Sequence, residues 1–126
     1  MRWLLDTNVW IDAMANEPMA SSALMVAALD EWCGHSAMTR LELLSHPSLS
    51  AQDLADWRLL LAQSEEVTIG DTVIEEAARL RRTVRLKAPD AIIAATALLQ
   101  NATLVTRNIA DFRRVPGLMV MSPVEL

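Results

Sequence analysis

Short apolar runs alternate along this chain with longer stretches in which apolar residues recur at helical spacing. The run at positions 1–5 predicts a buried strand, and the residues that follow from Asp6 predict a sharp turn and then a helix. Further strands are expected over 36–38, 66–69, 103–106 and 118–121, with the one at 66–69 at an edge of the sheet. Because strands alternate with helices of ordinary length, the pattern predicts an α/β domain with a parallel sheet between helical layers and right-handed connections.

Helices between these strands are indicated by residues that commonly start or end a helix. Pro18 starts a stretch whose apolar stripe continues to Trp32, and Gly34 suits the position after its last turn. A short helix over 39–45 is expected to end before Pro47, since the residue before a proline resists helical geometry. Later helices are predicted to start near Ser50, Asp71 and Pro89, the last of them running to about Asn101, and 107–117 is expected to be a loop.

The size and the cysteine content narrow the class of protein. The chain has 126 residues, 52% of them hydrophobic, which fits a single domain over 1–126 without a linker or repeat. No apolar segment approaches the ~20 residues of a bilayer span, and the start lacks a secretion signal, so we expect a soluble cytoplasmic protein without a membrane partner. Cys33 is the only cysteine, which excludes an internal disulfide and a cysteine-rich zinc site, and we expect it to be buried. With only His35 and His46, a histidine-based metal site is not expected either.

The charge distribution is uneven. A formal net charge of −5 argues weakly against a nucleic-acid partner, because phosphate binding usually requires a basic surface. The cationic residues nevertheless fall into two groups, Arg79, Arg81, Arg82, Arg85 and Lys87 in one and Arg107, Arg113 and Arg114 in the other. A basic face beside an acidic pocket is compatible with a phosphodiester substrate, although solvated helix charge is the commoner explanation of such a run.

Isolated acids stand where predicted elements begin or end. Asp6 follows the first strand, Glu42 and Asp90 lie in the first turns of otherwise apolar helices, and Asp111 comes shortly after the strand that ends at Thr106. In a parallel sheet these positions lie near one edge, where open α/β folds build their sites. Carboxylates packed together raise one another's pKa, and a Mg²⁺ or Mn²⁺ ion, which prefers oxygen ligands, relieves that conflict.

Each acid also has an ordinary structural explanation. Asp6 is a good N-cap for the helix that follows it. Thr39 and Glu42 fit a capping box, in which each side chain bonds the other's backbone amide. Asp90 in the first turn of its helix is favourably placed against the helix dipole, and Asp111 fits an ordinary loop acid. The joint pattern, rather than any one acid, points to a metal site.

These residues resemble a known family. The segment Asp6-Thr7-Asn8 after an apolar strand, Glu42 on a short helix, Asp90 before an Ala-rich helix, and Thr106-Arg107-Asn108 followed by Asp111-Phe112 are similar to the motifs of the PIN domain. The resemblance is closest to the VapC toxins of bacterial VapBC toxin–antitoxin pairs, and it extends from Leu4 to about Val120. Four elements in the right order over the right length make the match rather specific.

The resemblance implies a three-layer α/β/α domain and a Mg²⁺- or Mn²⁺-dependent endoribonuclease that cleaves RNA by metal-activated water. It implies Asp6 and Asp90 as direct metal ligands, with Glu42 orienting or deprotonating the water. Many members carry an acid where Asn108 stands here, so either Asn108 or Asp111 is expected to complete the metal shell. The expected catalytic residues are therefore Asp6, Glu42, Asp90 and Asp111, and the residues expected to position substrate or water are Thr7, Asn8, Thr106 and Asn108.

The resemblance also implies partners, and two rival functions stay open. A PIN-family toxin is expected to pair with a small VapB-like antitoxin that blocks the acidic pocket, and to form a homodimer. One rival is a PIN-like fold that has lost catalysis and serves as a binding module. The other is a different Mg²⁺-dependent α/β phosphohydrolase with Asp6 as a nucleophile, although that chemistry usually needs a second acid where Asn8 stands.

Overall fold

Five parallel strands form the centre of the protein in the computed structural model, which describes all residues from Met1 to Leu126. The strands are β1 (Arg2–Leu5), β2 (Trp32–Ser36), β3 (Glu65–Val67), β4 (Thr103–Val105) and β5 (Val120–Met121). Their order across the sheet is β3-β2-β1-β4-β5, and every neighbouring pair is parallel. The predicted α/β class with a parallel sheet is therefore confirmed.

Helices cover both faces of this sheet. They are α1 (Thr7–Met14), α2 (Pro18–Ala28), α3 (Ala37–Leu43), α4 (Ala51–Leu61), α5 (Asp71–Thr83), α6 (Ala88–Leu99) and α7 (Ile109–Phe112), and a 3₁₀ turn at Pro123–Glu125 precedes the last residue. None of them is long and apolar enough to cross a membrane.

Alternating side chains of the central strands divide the core into two halves. Leu4 and Leu104 belong to the apolar cluster on the face covered by α5 and α6. Leu5 and Val105 belong to the cluster on the opposite face, together with Trp10 of α1. Because successive side chains of a strand point to opposite faces, two such clusters are what a sheet between helical layers requires. The architecture is therefore three layers, α/β/α.

The strand order places a crevice at the carboxyl ends of β1 and β4. The chain moves from β1 to β2 in one direction across the sheet, and from β4 to β5 in the other. Neighbouring strands whose connections depart in opposite directions leave a gap outside their carboxyl ends, and open α/β folds bind ligands in such gaps. Asp6 follows β1 directly and Thr106 follows β4 directly, so both lie at this gap.

The region between α2 and α3 departs from the sequence prediction. The helix from Pro18 ends at Ala28, and the strand lies at Trp32–Ser36 rather than at 36–38. Gly34 is therefore inside β2 and does not follow a helix. It lies beside the indole of Trp32, and a Cβ atom at this glycine would come 2.1 Å from a ring carbon. The Arg2 guanidinium in turn packs over the Trp32 ring, 4.5 Å from the ring centroid. Tertiary packing, and not the local sequence pattern, therefore determines that this segment forms a strand.

The start of α3 also differs. The helix begins at Ala37, two residues before the expected start, and Ser36 is its N-cap, with Oγ accepting a hydrogen bond from the Met38 amide at 3.0 Å. The predicted capping box of Thr39 and Glu42 is therefore wrong, because Thr39 already lies inside the helix, and Glu42 is not in its first turn.

Other predicted boundaries agree with the structure. Ser50 caps α4 and forms a capping box with Asp53. The helix predicted to start near Asp71 is α5, and its apolar stripe buries Val73, Ala77 and Leu80. The strand predicted at 66–69 lies at Glu65–Val67 on the sheet edge, and Cys33 is buried. The segment expected to be a loop after β4 contains the short helix α7, which the sequence pattern did not indicate.

Candidate active site

Asp6 lies at the carboxyl end of the central strand and is held by three neighbours. It is the N-cap of α1, with extended backbone angles, and its Oδ1 accepts a hydrogen bond from the Thr7 amide at 2.8 Å. Its Oδ2 accepts hydrogen bonds from Thr106 Oγ1 at 2.7 Å and from Asn8 Nδ2 at 3.3 Å. Only 5% of the residue is exposed. Asp6 therefore caps α1 and, at the same time, has its carboxylate held in one orientation at the crevice.

Thr106 and Asn8 join the ends of β1 and β4. Besides its bond to Asp6, the Thr106 hydroxyl accepts a hydrogen bond from the Asn108 amide at 2.9 Å and lies 3.3 Å from Asn8 Nδ2. The Asn8 side-chain oxygen accepts a hydrogen bond from the Arg107 amide at 3.2 Å. This network fixes the turn after β4 to the start of α1, so the two segments present their side chains to the crevice in one arrangement.

Glu42 reaches the same edge from α3. Its Oε1 accepts a hydrogen bond from Thr7 Oγ1 at 2.7 Å, and that hydroxyl also lies 3.0 Å from the buried Thr39 Oγ1. Thr7 is the first residue of α1, next to Asp6. The contact therefore ties the Glu42 carboxylate to the segment that carries Asp6. Glu42 remains exposed to solvent, so one carboxylate at this edge is accessible while Asp6 is not.

Asp90 and Asp111 are contributed by α6 and α7. Asp90 lies in the first turn of α6 and is partly buried. Asp111 lies in α7 and is exposed, with Oδ1 3.8 Å from Arg114 Nη2. Asn108 is at the N-cap position of α7, but its side chain makes no capping hydrogen bond. Neither the side chain of Asn108 nor that of Asp111 hydrogen-bonds the Asp6 carboxylate, whose partners are Thr7, Asn8 and Thr106.

The pKa shifts show that these acids influence one another. Burial raises the pKa of Asp6, hydrogen bonds from Thr106 and Thr7 oppose the rise, and the negative charges of Asp90 and Glu42 add to it. Burial is also the main cause of the raised pKa of Asp90, and the charges of Glu42 and Asp111 raise it further, while Lys87 opposes the rise. No hydrogen bond stabilises the charged form of Asp90. The structure therefore brings all four predicted acids into one electrostatic group.

The donors in this group fit a hard divalent cation. They are carboxylate, amide and hydroxyl oxygens with no cysteine or histidine, the type of ligand that Mg²⁺ and Mn²⁺ prefer. No three acidic, histidine or cysteine side chains are close enough to enclose an ion by themselves. Mg²⁺ does not need such an enclosure, because it commonly keeps several waters and binds through one or two carboxylates. Asp6 and Asp90 are the two whose charged forms burial disfavours and a cation would stabilise.

Sequence reasoning missed one ion pair at this site. Asp12, to which we assigned no role, lies in α1 with Oδ2 2.7 Å from Arg107 Nε. The pair connects α1 to the turn that carries Thr106 and Asn108. Because the partners are almost a hundred positions apart, no local signal in the sequence could have identified their contact.

Comparisons with known proteins agree with this geometry. A family profile described as "PIN domain" matches residues 3–118. One similar chain comes from a "Toxin-antitoxin complex from Klebsiella pneumoniae", with 33% identity, 95% of this chain and 96% of that chain covered, and a TM-score of 0.80. Another comes from "VapBC2 from Rickettsia felis bound to a DNA fragment from their promoter", with 25% identity, coverage of 97% and 98%, and a TM-score of 0.83.

A third similar chain comes from a structure of "VapBC-1 from nontypeable Haemophilus influenzae", with 25% identity, 98% of both chains covered and a TM-score of 0.82. The comparison with curated proteins found no match. The similarity to these solved chains extends over nearly the whole length on both sides, so it concerns the entire fold and not a shared motif alone.

Proposed function

The chain belongs to the PIN domain family, and from this membership and the acidic group at its sheet edge we propose that it is a VapC-type toxin, an endoribonuclease dependent on Mg²⁺ or Mn²⁺. The observation that carries the proposal is the contact of Glu42 with Thr7, next to the buried Asp6 at the end of β1, together with the raised pKa values of Asp6 and Asp90, to which the charge of Glu42 contributes. The similarity to chains from solved toxin–antitoxin complexes supports the same conclusion.

Asp6 and Asp90 are the residues we propose to hold the cation, with Glu42 beside them and either Asn108 or Asp111 completing the shell. When bound, such a cation polarises a phosphodiester and lowers the pKa of an attacking water. Thr106 and Asn8 hold the Asp6 carboxylate in one orientation through its Oδ2 atom. Thr7 holds Glu42 Oε1, and Oε2 is then free to accept a proton from the water that attacks phosphorus. No side chain of the site needs to form a covalent intermediate.

We propose a VapB-like antitoxin as the partner in the cytoplasm. By covering the acidic crevice, it would block RNA hydrolysis. The printed names of the similar structures describe VapBC complexes, which supports a two-component system. Exposed apolar side chains at the end of α2 are consistent with a protein partner, because Met25 in the helix is 66% exposed and Leu29, its C-cap, is 86% exposed. We also propose a homodimer, in line with the family.

The test is an RNA cleavage assay on the chain purified free of antitoxin. We expect activity in Mg²⁺ or Mn²⁺, loss of activity on chelation, and recovery when Mn²⁺ is restored. Glu42→Gln, Asp6→Asn and Asp90→Asn should each lower kcat by at least about a hundredfold. Glu75→Gln is the matched control, because Glu75 is an exposed acid on α5 away from the crevice, and it should leave kcat unchanged.

The same assay separates the rival functions. Inactivity of the unsubstituted chain on RNA in every metal would contradict the nuclease and favour a PIN-like binding module. Metal-dependent hydrolysis of a phosphomonoester, with RNA left intact, would instead favour another α/β phosphohydrolase.

A further inference from the structure

A basic cleft lies where the chain passes from α5 to α6. Its volume is about 410 Å³, and Arg81, Arg85, Leu86 and Lys87 line it. Three of these four residues are cations, and all three side chains are exposed to solvent. We call this cavity the α5–α6 cleft.

Contacts from two directions give the cleft a defined shape. Arg81 Nε donates a hydrogen bond to the Leu86 carbonyl at 3.3 Å, across the connection between the helices. Arg114, from the segment after α7, donates a hydrogen bond through Nη2 to the Arg85 carbonyl at 2.7 Å. The second contact brings a fourth cation to the rim from a distant part of the chain. The positive charge is therefore gathered by the fold and does not come from one run of residues alone.

The α5–α6 cleft borders the acidic group at two points. Lys87 is the N-cap residue of α6, three positions before Asp90, and its charge opposes the burial that raises the pKa of Asp90. Arg114 lies 3.8 Å from Asp111. An RNA strand with one phosphate at Asp6 and Asp90 would therefore have a neighbouring phosphate within reach of these cations.

Helix electrostatics explain only some of these residues. Cations in the last turn of a helix are favoured by its dipole, and this accounts for Arg81 and Arg82 in α5. Arg85 and Lys87 lie beyond Thr83, where α5 ends, so that explanation does not extend to them. Further back in α5, Arg79 is already paired with Glu76 at 2.5 Å. Arg85 and Lys87 thus line the cleft without an explanation from the helix dipole.

We propose that the α5–α6 cleft is a subsite that binds a backbone phosphate of the RNA strand one or two nucleotides from the bond that is cut. The inference rests on the proposed nuclease function and identifies the residues that would hold its substrate. The cleft has no aromatic side chain on which a base could stack and one apolar residue, Leu86. Binding there is consequently electrostatic and independent of base sequence.

The experiment compares three alanine variants of equal charge. Arg85→Ala and Lys87→Ala remove cations of the cleft, whereas Arg82→Ala removes an exposed cation near the end of α5 that does not line it. Affinity for a fluorescein-labelled single-stranded RNA of mixed sequence is measured by anisotropy over a range of salt, in Mg²⁺ and in a Glu42→Gln background that prevents cleavage. Steady-state cleavage is measured without that background, and thermal unfolding by circular dichroism checks that each variant folds.

We expect Arg85→Ala and Lys87→Ala each to weaken RNA binding about three- to tenfold and to reduce the slope of log K against log salt by about 0.7. For Arg85→Ala, KM should rise by a similar factor while kcat stays within about twofold, because Arg85 does not touch the reacting phosphate. Arg85→Lys should keep most of the salt slope, since it retains the charge. Arg82→Ala should match the parent in every measurement.

Three outcomes would overturn the proposal. If the cleft variants match Arg82→Ala while the parent cleaves RNA, the subsite is wrong and the nuclease function stands. If they bind RNA normally but lose affinity for a co-expressed antitoxin, the cleft is a protein interface. If the parent neither binds nor cleaves RNA in any metal, the proposed function fails and the subsite fails with it.

Discussion

Replacing Thr106 by valine should disturb the site through a single hydroxyl. Valine keeps the shape of the side chain, so the loss is confined to the bonds of the hydroxyl. These are the hydrogen bond from Oγ1 to Asp6 Oδ2, 2.7 Å long and buried, and those that Oγ1 accepts from the Asn108 amide and from Asn8 Nδ2. A hydrogen bond to a buried charged group contributes about 1.5–3 kcal/mol, against about 1 kcal/mol for a neutral pair. We expect Thr106→Val to lower the free energy of unfolding at pH 7 by about 1.5–3 kcal/mol.

The pH dependence of this loss gives the prediction its specificity. Burial holds the pKa of Asp6 in the folded state above its ordinary value. Between the unfolded-state and folded-state pKa values, the folded state therefore binds more protons than the unfolded state. As pH rises through this range, Asp6 lowers the stability of the fold. The bond from Thr106 reduces the cost. Without it the pKa of Asp6 should rise further, and Thr106→Val should lose more stability at pH 7 than at a pH below 3.8, where Asp6 is neutral in both states.

Urea unfolding in a chelator at several pH values measures the effect. Thr96→Val is the matched control, because Thr96 is buried and donates its hydroxyl to the Ile92 carbonyl at 2.7 Å, far from any carboxylate. Its loss of stability should be about 0.5–1.5 kcal/mol and independent of pH. An equal loss for both variants at every pH would refute the contact between Thr106 and a charged Asp6.

Two further predictions concern residues of β2. Gly34→Ala should lower the free energy of unfolding by about 1–3 kcal/mol, because its Cβ would collide with the Trp32 ring. Gly70→Ala has open space around it and should be neutral or slightly stabilising. Chemical unfolding that ranked the two variants the other way would contradict the packing of β2. Burial is the main cause of a His35 pKa below 6.5, so the folded state binds fewer protons than the unfolded state and stability should fall as pH drops below 6.5. The unfolding free energies of the parent and of His35→Gln, measured between pH 7.5 and 5, should therefore converge on acidification. Parallel curves would contradict this prediction.

The positions of the site acids could be predicted from the sequence because they depend on strong local patterns. A short apolar run, Trp3-Leu4-Leu5, defines β1 and therefore places Asp6 at its end. An almost wholly apolar helix after Pro89 places Asp90 in a first turn. A parallel sheet then brings these ends to one edge. The strand β1, the helix after Pro89 and their common edge of the sheet can therefore be predicted from periodicity and topology, without knowledge of any contact.

The errors lie where tertiary contacts override the local pattern. The strand β2 consists of Trp-Cys-Gly-His-Ser, which has neither alternation nor β-branched residues, so the helical stripe before it was extended too far. It forms because it pairs with β1 and packs Trp32 against Arg2. The displaced start of α3 followed from the same error, and it produced the capping box that the structure contradicts.

Contacts between distant segments could not be predicted at all. Glu42 is held by Thr7, and Arg114 reaches Arg85, in each case across tens of positions and between elements whose packing the sequence does not state. Such contacts determine that Glu42 is held at the site and that Arg114 joins the cations of the α5–α6 cleft. The sequence pattern therefore predicts which residues reach the sheet edge, and the structure is needed for how they are arranged there.

The most direct test of the account is a crystal structure of this chain grown with Mn²⁺, with the ion located by its anomalous scattering. We predict a peak at the crevice between β1 and β4, with carboxylate oxygens of both Asp6 and Asp90 at about 2.0–2.2 Å from it or bridged to it by one ordered water. Asp90→Asn crystals grown in the same way should lose the peak, and Glu75→Asn crystals should keep it. A well-ordered Mn²⁺ that contacts neither carboxylate, or side chains of Asp6 and Asp90 turned to separate regions, would contradict the central claim.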